Sequence, residues 1–430
     1  MMWPPDPLVM RALILTAPMV ATIGLWMARR PSHATMTGMF LATAWQLPPL
    51  LLFNALAPEW GWWGFEAEGG LWWGVPVDLL IAWAFLWGAI PALLPRTIPP
   101  MLIGVAAFAL DLLVIPLCRP TIALNGPSWL LGEAVCIATA LMPGLALARW
   151  TAERRNLIGR AVLQGIGFGG LLMIALPAAI LTASKRPTLD PLLQQPAGLI
   201  FIQLQVMLTF AGWGVSACQE FALRGGGTAL PQDPTQRLVI SGPYAYVSNP
   251  MQLSTAFVLF ALGFMLQSGP VAGAGLMVVV FSAGLASWHE GLALTERFGA
   301  PYRIYRESVR TWFPRWRPWV PYQATLYYDR DCQFCATVAR WVAARSPVAL
   351  TMTPAQNHPR RDLTRLTYNP GDGSPEEEGV AAFARALEHI HLGFALFAFL
   401  LRLPGMIDFV QLVVDASGGG PRLVQREPSN

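Results

Sequence analysis

Apolar residues over the first two-thirds of the chain come in long runs with few breaks, and nine of these runs predict membrane-spanning helices. A bilayer's hydrocarbon core is about 30 Å thick and takes roughly 20 mostly apolar residues as helix. The runs are Ala12–Ala28, Met36–Ala57, Leu71–Leu94, Met101–Leu117, Trp129–Leu147, Val162–Ala183, Leu199–Phe221, Leu253–Leu266 and Val271–Ala286. The last two are short and meet at Gln267-Ser268-Gly269-Pro270, which reads as a tight hairpin. After Pro314 the pattern changes. The stretch Arg315–Pro321, rich in Arg, Trp and Pro, predicts an interfacial linker, and from Ala324 the chain reads as soluble. A strand is expected over Ala324–Tyr328, a helix through Ala344, a second strand over Val348–Thr353 and a helix near Glu378–His389. Leu392–Leu403 is apolar but too short to span, and is expected as a core or surface helix.

Composition supports the membrane class. Hydrophobic residues make up 54% of the 430 positions and charged residues 13%, against about 25% charged in soluble domains. The 18 tryptophans suit headgroup-level anchoring. The net charge of +4 is small and carries no argument for nucleic acid, which is not expected as a partner. Its distribution sets topology: Arg29 and Arg30, then Arg96, then Arg149, Arg154, Arg155 and Arg160 fall in every second loop. Those loops are expected inside. The N-terminus is then outside, and everything after Ala286 is cytoplasmic. The loop bearing Lys185 and Arg186 runs against this pattern. Pro4, Pro5 and Pro7 stand where a cleavable signal peptide has a basic region, so none is expected.

Chemistry-bearing residues are few. Asp78, Asp111 and Glu133 lie within apolar runs, where ionisable groups are costly and are functional candidates by default. The bland expectation is that Glu133 snorkels to an interface while the aspartates hydrogen-bond to neighbouring helices. Of five cysteines, only Cys332 and Cys335 have a meaningful spacing. A strand–turn–helix places Cys332 at a helix N-terminus, which favours its thiolate, and puts Cys335 one turn along as the resolving thiol. Cys332 is expected to be the more exposed of the two. Asp329 and Asp331 oppose the thiolate, so only a modest depression below about 8.5 is expected. No metal site is expected, since His358, His389 and His391 are poorly placed for one.

Two family resemblances follow from ordered motifs. Gly225-Gly226-Gly227-Thr228-Ala229-Leu230-Pro231 leads to Gly242-Pro243-Tyr244-Ala245-Tyr246-Val247-Ser248-Asn249-Pro250-Met251, and some forty residues on come Glu290, Arg297-Phe298-Gly299, Tyr302, Tyr305 and Trp312-Phe313-Pro314. Over about Leu199–Pro314 this resembles the isoprenylcysteine carboxyl methyltransferase and phospholipid methyltransferase superfamily. The resemblance implies S-adenosylmethionine as cofactor and methyl transfer to a lipid-linked or hydrophobic acceptor. Tyr244, Tyr246, Asn249, Pro250, His289, Glu290, Tyr302 and Tyr305 are the implied cofactor-site residues. Ser248, Gln252, Ser254 and Gly291 depart from the family pattern.

Leu326-Tyr327-Tyr328-Asp329-Arg330-Asp331-Cys332-Gln333-Phe334-Cys335, with Arg340-Trp341 and Leu403-Pro404-Gly405, resembles the DCC family of thiol-disulfide oxidoreductase-like domains. That implies a small α/β thioredoxin-like fold, redox catalysis by Cys332 and Cys335, and a cytosolic thiol partner. Arg330 and Gln333 replace the family's usual Gly and Pro.

The expected protein is therefore an all-α polytopic bacterial inner-membrane protein of about nine transmembrane helices, with a cytoplasmic CxxC domain. Its parts are residues 1–190, an N-terminal bundle; 191–314, the methyltransferase-like core; 315–323, a linker; and 324–430, the DCC-like domain. The alternative is a catalytically degenerate membrane scaffold or redox sensor that uses Cys332 and Cys335.

Overall fold

The computed structural model describes residues 6–119, 121–184, 192, 194–230 and 233–427, without the side chains of 285–290. Lys185, Arg186 and Pro231, and the side chains of His289 and Glu290, lie outside the described residues. The chain divides into two compact units, Met1–Gln194 and Gln195–Asn430.

In the first unit, α1 (Pro7–Arg29) starts where the Leu8 N–H donates to the Asp6 carboxylate at 2.8 Å, with Pro7 pre-setting φ for the first turn. Ser32 caps α2 (His33–Leu56) in the same manner. The chain then leaves helix for three short strands, β1 (Trp63–Phe65), β2 (Leu71–Trp72) and β3 (Val75–Pro76). β2 and β3 join through Trp73 (φ 48°) and Gly74 (φ 77°), the paired left-handed residues of a tight hairpin. This turn displaces the start of the third predicted span from Leu71 to Val77, and α3 covers Val77–Leu93. α4 (Pro100–Cys118), β4 (Ile122–Leu124, antiparallel to β1), α5 (Gly126–Glu153) and α6 (Leu157–Ala183) complete the unit. Leu50, Leu79, Trp87, Leu141 and Leu145 form its core. Gly88 lets α3 approach α2 backbone to backbone: a Cβ there would stand 2.6 Å from the Thr43 Cα.

The second unit begins with α7 (Ala197–Gly225), the hairpin α8 (Pro250–Met265) and α9 (Gly269–Gly284), then α10 (Ser287–Phe298) and α11 (Ala300–Ser308). A four-stranded sheet follows, built from β5 (Ala324–Tyr328), β6 (Leu350–Pro354), β7 (Thr367–Asn369) and β8 (Glu377–Glu378). Its order is β6-β5-β7-β8, with β5 and β6 parallel and the other pairs antiparallel. α12 (Gln333–Ala343) joins the parallel pair, as a parallel connection requires a crossover. α13 (Val380–Glu388), α14 (Leu392–Leu401) and α15 (Met406–Gly419) close the chain. Both expected strands and both expected helices of this region are present within a few residues of their predicted ends.

Among the described residues six helices, α1, α2, α4, α5, α6 and α7, are long and apolar enough to cross a bilayer. α14 and α15 add a seventh only if the 91° bend between them is counted as one broken span. α3, α8 and α9 fall in the 10–17-residue class, which at 1.5 Å per residue reaches about 25 Å at most. Among the described residues six of the nine predicted runs are thus carried by helices of full length, and the chain is a helical, multi-pass membrane-type fold. α14 takes the core position expected of Leu392–Leu403: Ala395 and Phe399 pack with Trp213 and Tyr246 in the core of the second unit.

Candidate functional site

The CxxC pair sits where β5 ends and α12 begins. After Tyr328 the chain turns at Asp329, whose carboxylate accepts from the Asp331 N–H at 3.0 Å. Gln356 braces this turn, its amide donating to Asp329 at 3.1 Å and to Asp331 at 3.2 Å. Cys332 is the N-cap of α12, and its Sγ accepts from the Cys335 backbone N–H at 3.4 Å. Both thiols are free and half-buried, with Cys332 the less enclosed. Phe334, between them, is 65% exposed and gives the pair an apolar shoulder.

The two thiols are pushed apart in acidity. Partial burial raises Cys332, but hydrogen bonds from the Cys335 thiol and from the backbone N–H groups of Cys335 and Phe334 outweigh it, and its pKa falls below the ordinary thiol value despite nearby Asp329. Burial pushes Cys335 up to about 12, with further upward contributions from the Cys332 sulfur and Asp329. This asymmetry is what an attacking and a resolving thiol require.

The residues of the first motif set come together with the second. Tyr305 donates its hydroxyl to the Tyr244 carbonyl at 2.9 Å, Arg306 donates to the Ser248 hydroxyl at 2.5 Å, and the Ser248 N–H donates to the Arg310 carbonyl at 3.0 Å. Tyr244, Tyr246, Pro250 and Tyr305 are buried. The Tyr244 ring stacks on Phe221 at 5.2 Å, and Tyr246 donates its hydroxyl to the Glu388 carbonyl at 2.7 Å. Asn249, the N-cap of α8, and Tyr302 are half-buried. The expected linker is stitched to this loop: the N–H groups of Arg315 and Trp319 donate to the carbonyls of Tyr246 and Ala245 at 2.9 and 2.8 Å.

A cluster that sequence reasoning missed lies beneath the loop. Glu220, near the end of α7 and fully buried, accepts from Arg385 at 2.7 Å, from Arg402 at 2.9 Å and from the Ser241 hydroxyl at 2.5 Å. Arg385 also reaches Glu377 at 2.9 Å and Glu388 at 3.0 Å, Arg402 reaches Glu388 at 2.9 Å, and Arg224 reaches Glu377 at 2.6 Å. Three arginines and three glutamates thus neutralise one another. Gly242 (φ 59°) fits against this cluster because a Cβ there would lie 2.8 Å from the Glu220 Cγ. The available signals were a lone glutamate inside an apolar run and the Arg385/Glu388 spacing of three on a helix.

In the first unit, Asp78 is held by Arg11 through two hydrogen bonds of 2.7 and 3.0 Å. Glu133 does not snorkel: it is 2% exposed and hydrogen-bonds to Asp111, also 2% exposed. The outward route is closed because Glu133 faces the packed core of its unit rather than a helix end. His358 contacts Glu376 at 3.1 Å, and His389 lies between the Val348 carbonyl and the Tyr368 hydroxyl at 2.7 and 2.9 Å. Among the described residues no group of three or more His, Cys, Asp or Glu is arranged to hold a metal ion.

The fold and this site define a helical membrane-type protein with a free CxxC pair at a strand–helix turn. No protein-family model, no curated protein and no solved structure matches the chain.

Proposed function

We propose that the chain is a membrane-anchored thiol-disulfide oxidoreductase acting through Cys332 and Cys335. The observation that carries this reading is the position of Cys332 as N-cap of α12, with its sulfur accepting the Cys335 N–H. The thioredoxin-like character expected for this domain is supported by the sheet order β6-β5-β7-β8 around a parallel β5–α12–β6 unit. The Cys332 thiolate attacks one sulfur of a partner disulfide, forming a mixed disulfide and releasing the partner's first thiolate. Cys335 then gives up its proton to that thiolate and attacks the Cys332 sulfur, breaking the mixed disulfide and expelling the partner's second thiolate, which takes a proton from water. The dithiol is oxidised to a disulfide and the partner is reduced to a dithiol. Placing the CxxC domain in the cytoplasm of a bacterial inner membrane, where thiols stay reduced, belongs to this proposal.

The test is pH-dependent alkylation of the reduced chain with the Cys332 and Cys335 peptides resolved by mass spectrometry. Cys332 is expected to titrate below the free-thiol midpoint of about 8.5, and Cys335 to stay unmodified through pH 9. A Cys332 midpoint above that of a free thiol overturns the reading.

Methyl transfer is a second reading, favoured by the convergence of the two motif segments at the Tyr305–Tyr244 and Arg306–Ser248 contacts. Tyr246 and Tyr305 spend their hydroxyls inside the protein and brace the loop. The Arg224 Nη1 and Thr228 hydroxyl, both buried without a partner beside Gly225–Gly227, fit a carboxylate or ribose. Bound there, S-adenosylmethionine supplies the methyl group for a hydrophobic acceptor. Calorimetric titration of the detergent-purified chain is expected to give heat with this ligand; none at millimolar concentration removes the reading.

A further inference from the structure

We propose that Asp111 and Glu133 together form a binding site for one proton inside the first unit, unconnected with the redox pair. Asp111 lies on α4 and Glu133 on α5, and each is 2% exposed. Their carboxyl groups hydrogen-bond to each other. Carboxylates are acceptors only, so this contact is a hydrogen bond only when one of the two carries a proton.

The surroundings supply no alternative to that proton. The Trp87 indole N–H donates to Asp111 at 3.3 Å, a long bond and a single neutral donor. No arginine, lysine or histidine among the described residues acts on either carboxyl. The titratable groups that face the pair are two thiols. Cys118, at the end of α4, already donates to the Val114 carbonyl at 3.4 Å, and Cys136 lies one turn beyond Glu133 on α5. Neither thiol can bring positive charge. Asp78, the other acid of the unit, is engaged by Arg11.

A second observation agrees with a shared proton. The Glu133 Oε1 is buried and, apart from the Asp111 carboxyl, meets no donor. A carboxyl kept only for structure is normally saturated by donors, since an unmet buried acceptor costs stability. This one keeps an oxygen open in a region where an apolar pair would pack at lower cost. Uptake of a proton converts one carboxylate to a carboxylic acid and changes the buried charge from −2 to −1.

Infrared difference spectroscopy of the full chain in lipid tests the proposal. At neutral pH the wild-type chain is expected to show a protonated-carboxyl C=O band that disappears on alkalinisation, with release of one proton per chain. Glu133→Gln and Asp111→Asn, which keep shape and hydrogen bonding, are each expected to abolish or shift that band. Carboxyl-13C aspartate and glutamate in the wild-type chain should shift it without any substitution, so misfolding of a variant leaves the test standing. The absence of the band at neutral pH, or its survival unchanged in both variants, overturns the proposal. So does a response to sodium ions in place of pH, which would make the ligand a metal cation.

Discussion

Cys332→Ser is expected to stop thiol-disulfide exchange, lowering the rate with an aromatic disulfide by at least about 100-fold at pH 7. The thiol left behind is Cys335, which burial and Asp329 push up even without the Cys332 sulfur that adds to the shift in the wild-type chain. Such a thiol is almost wholly protonated at pH 7, and its greater intrinsic nucleophilicity recovers only part of that loss. Cys335→Ser is expected to behave differently. The wild-type chain should release two aromatic thiolates per chain, one on attack and one on resolution. The Cys335→Ser chain should release one and remain joined to the other half of the reagent at Cys332. Mass spectrometry locates the adduct and separates it from modification of Cys118, Cys136 or Cys218. Wild-type rates in Cys332→Ser would remove this residue from the attacking role. The redox proposal would fall with it.

The second large effect belongs to the ion cluster under the Gly242–Ala245 loop. Arg385→Met is expected to destabilise the second unit by about 3–5 kcal/mol, because it leaves buried Glu220 and Glu388 and half-buried Glu377 with too little positive charge. The loop should fail first, since Ser241 donates to the Glu220 carboxylate and Tyr246 to the backbone of Glu388. Hydrogen exchange over residues 241–249 should therefore rise in Arg385→Met while the long apolar part of α7 keeps its protection. Arg385→Lys retains the charge but loses the forked geometry that serves three carboxylates at once, and should fall between the two. A loss no larger than about 0.5 kcal/mol, typical of surface substitutions, would mean that the cluster is held together by the surrounding packing alone.

The cluster also explains why residues 195–430 form one compact unit although their sequence changes character at Pro314. α7 is apolar for most of its length and ends in Glu220 and Arg224. Those two charges meet partners more than 150 residues away in sequence, at Glu377, Arg385 and Arg402. Trp316 continues the junction by stacking on His391 at 4.5 Å. The segment expected as an interfacial linker is thus bound along its length to the loop on one side and to the start of α14 on the other.

Run length and turn chemistry were sufficient to place most helices and the strand–turn–helix of the CxxC pair. Each depends on neighbours in sequence: apolar length for α1, α2, α4, α5, α6 and α7, and the step from a β-type run to a helix for β5 and α12. The sequence by itself therefore determined the membrane class, the strands β5 and β6 of the C-terminal sheet and the position of Cys332 at a helix start. It placed the start of the third run too early, because a run of apolar residues does not reveal a hairpin such as Leu71–Pro76 inside it. It was silent on the pairing of Glu220 with Arg385 and Arg402 and on the Asp111–Glu133 contact. Those are long-range pairings. Burial strengthens a charge's interactions and penalises its isolation, so which partner meets it decides its role, and only the tertiary structure brings that partner within reach.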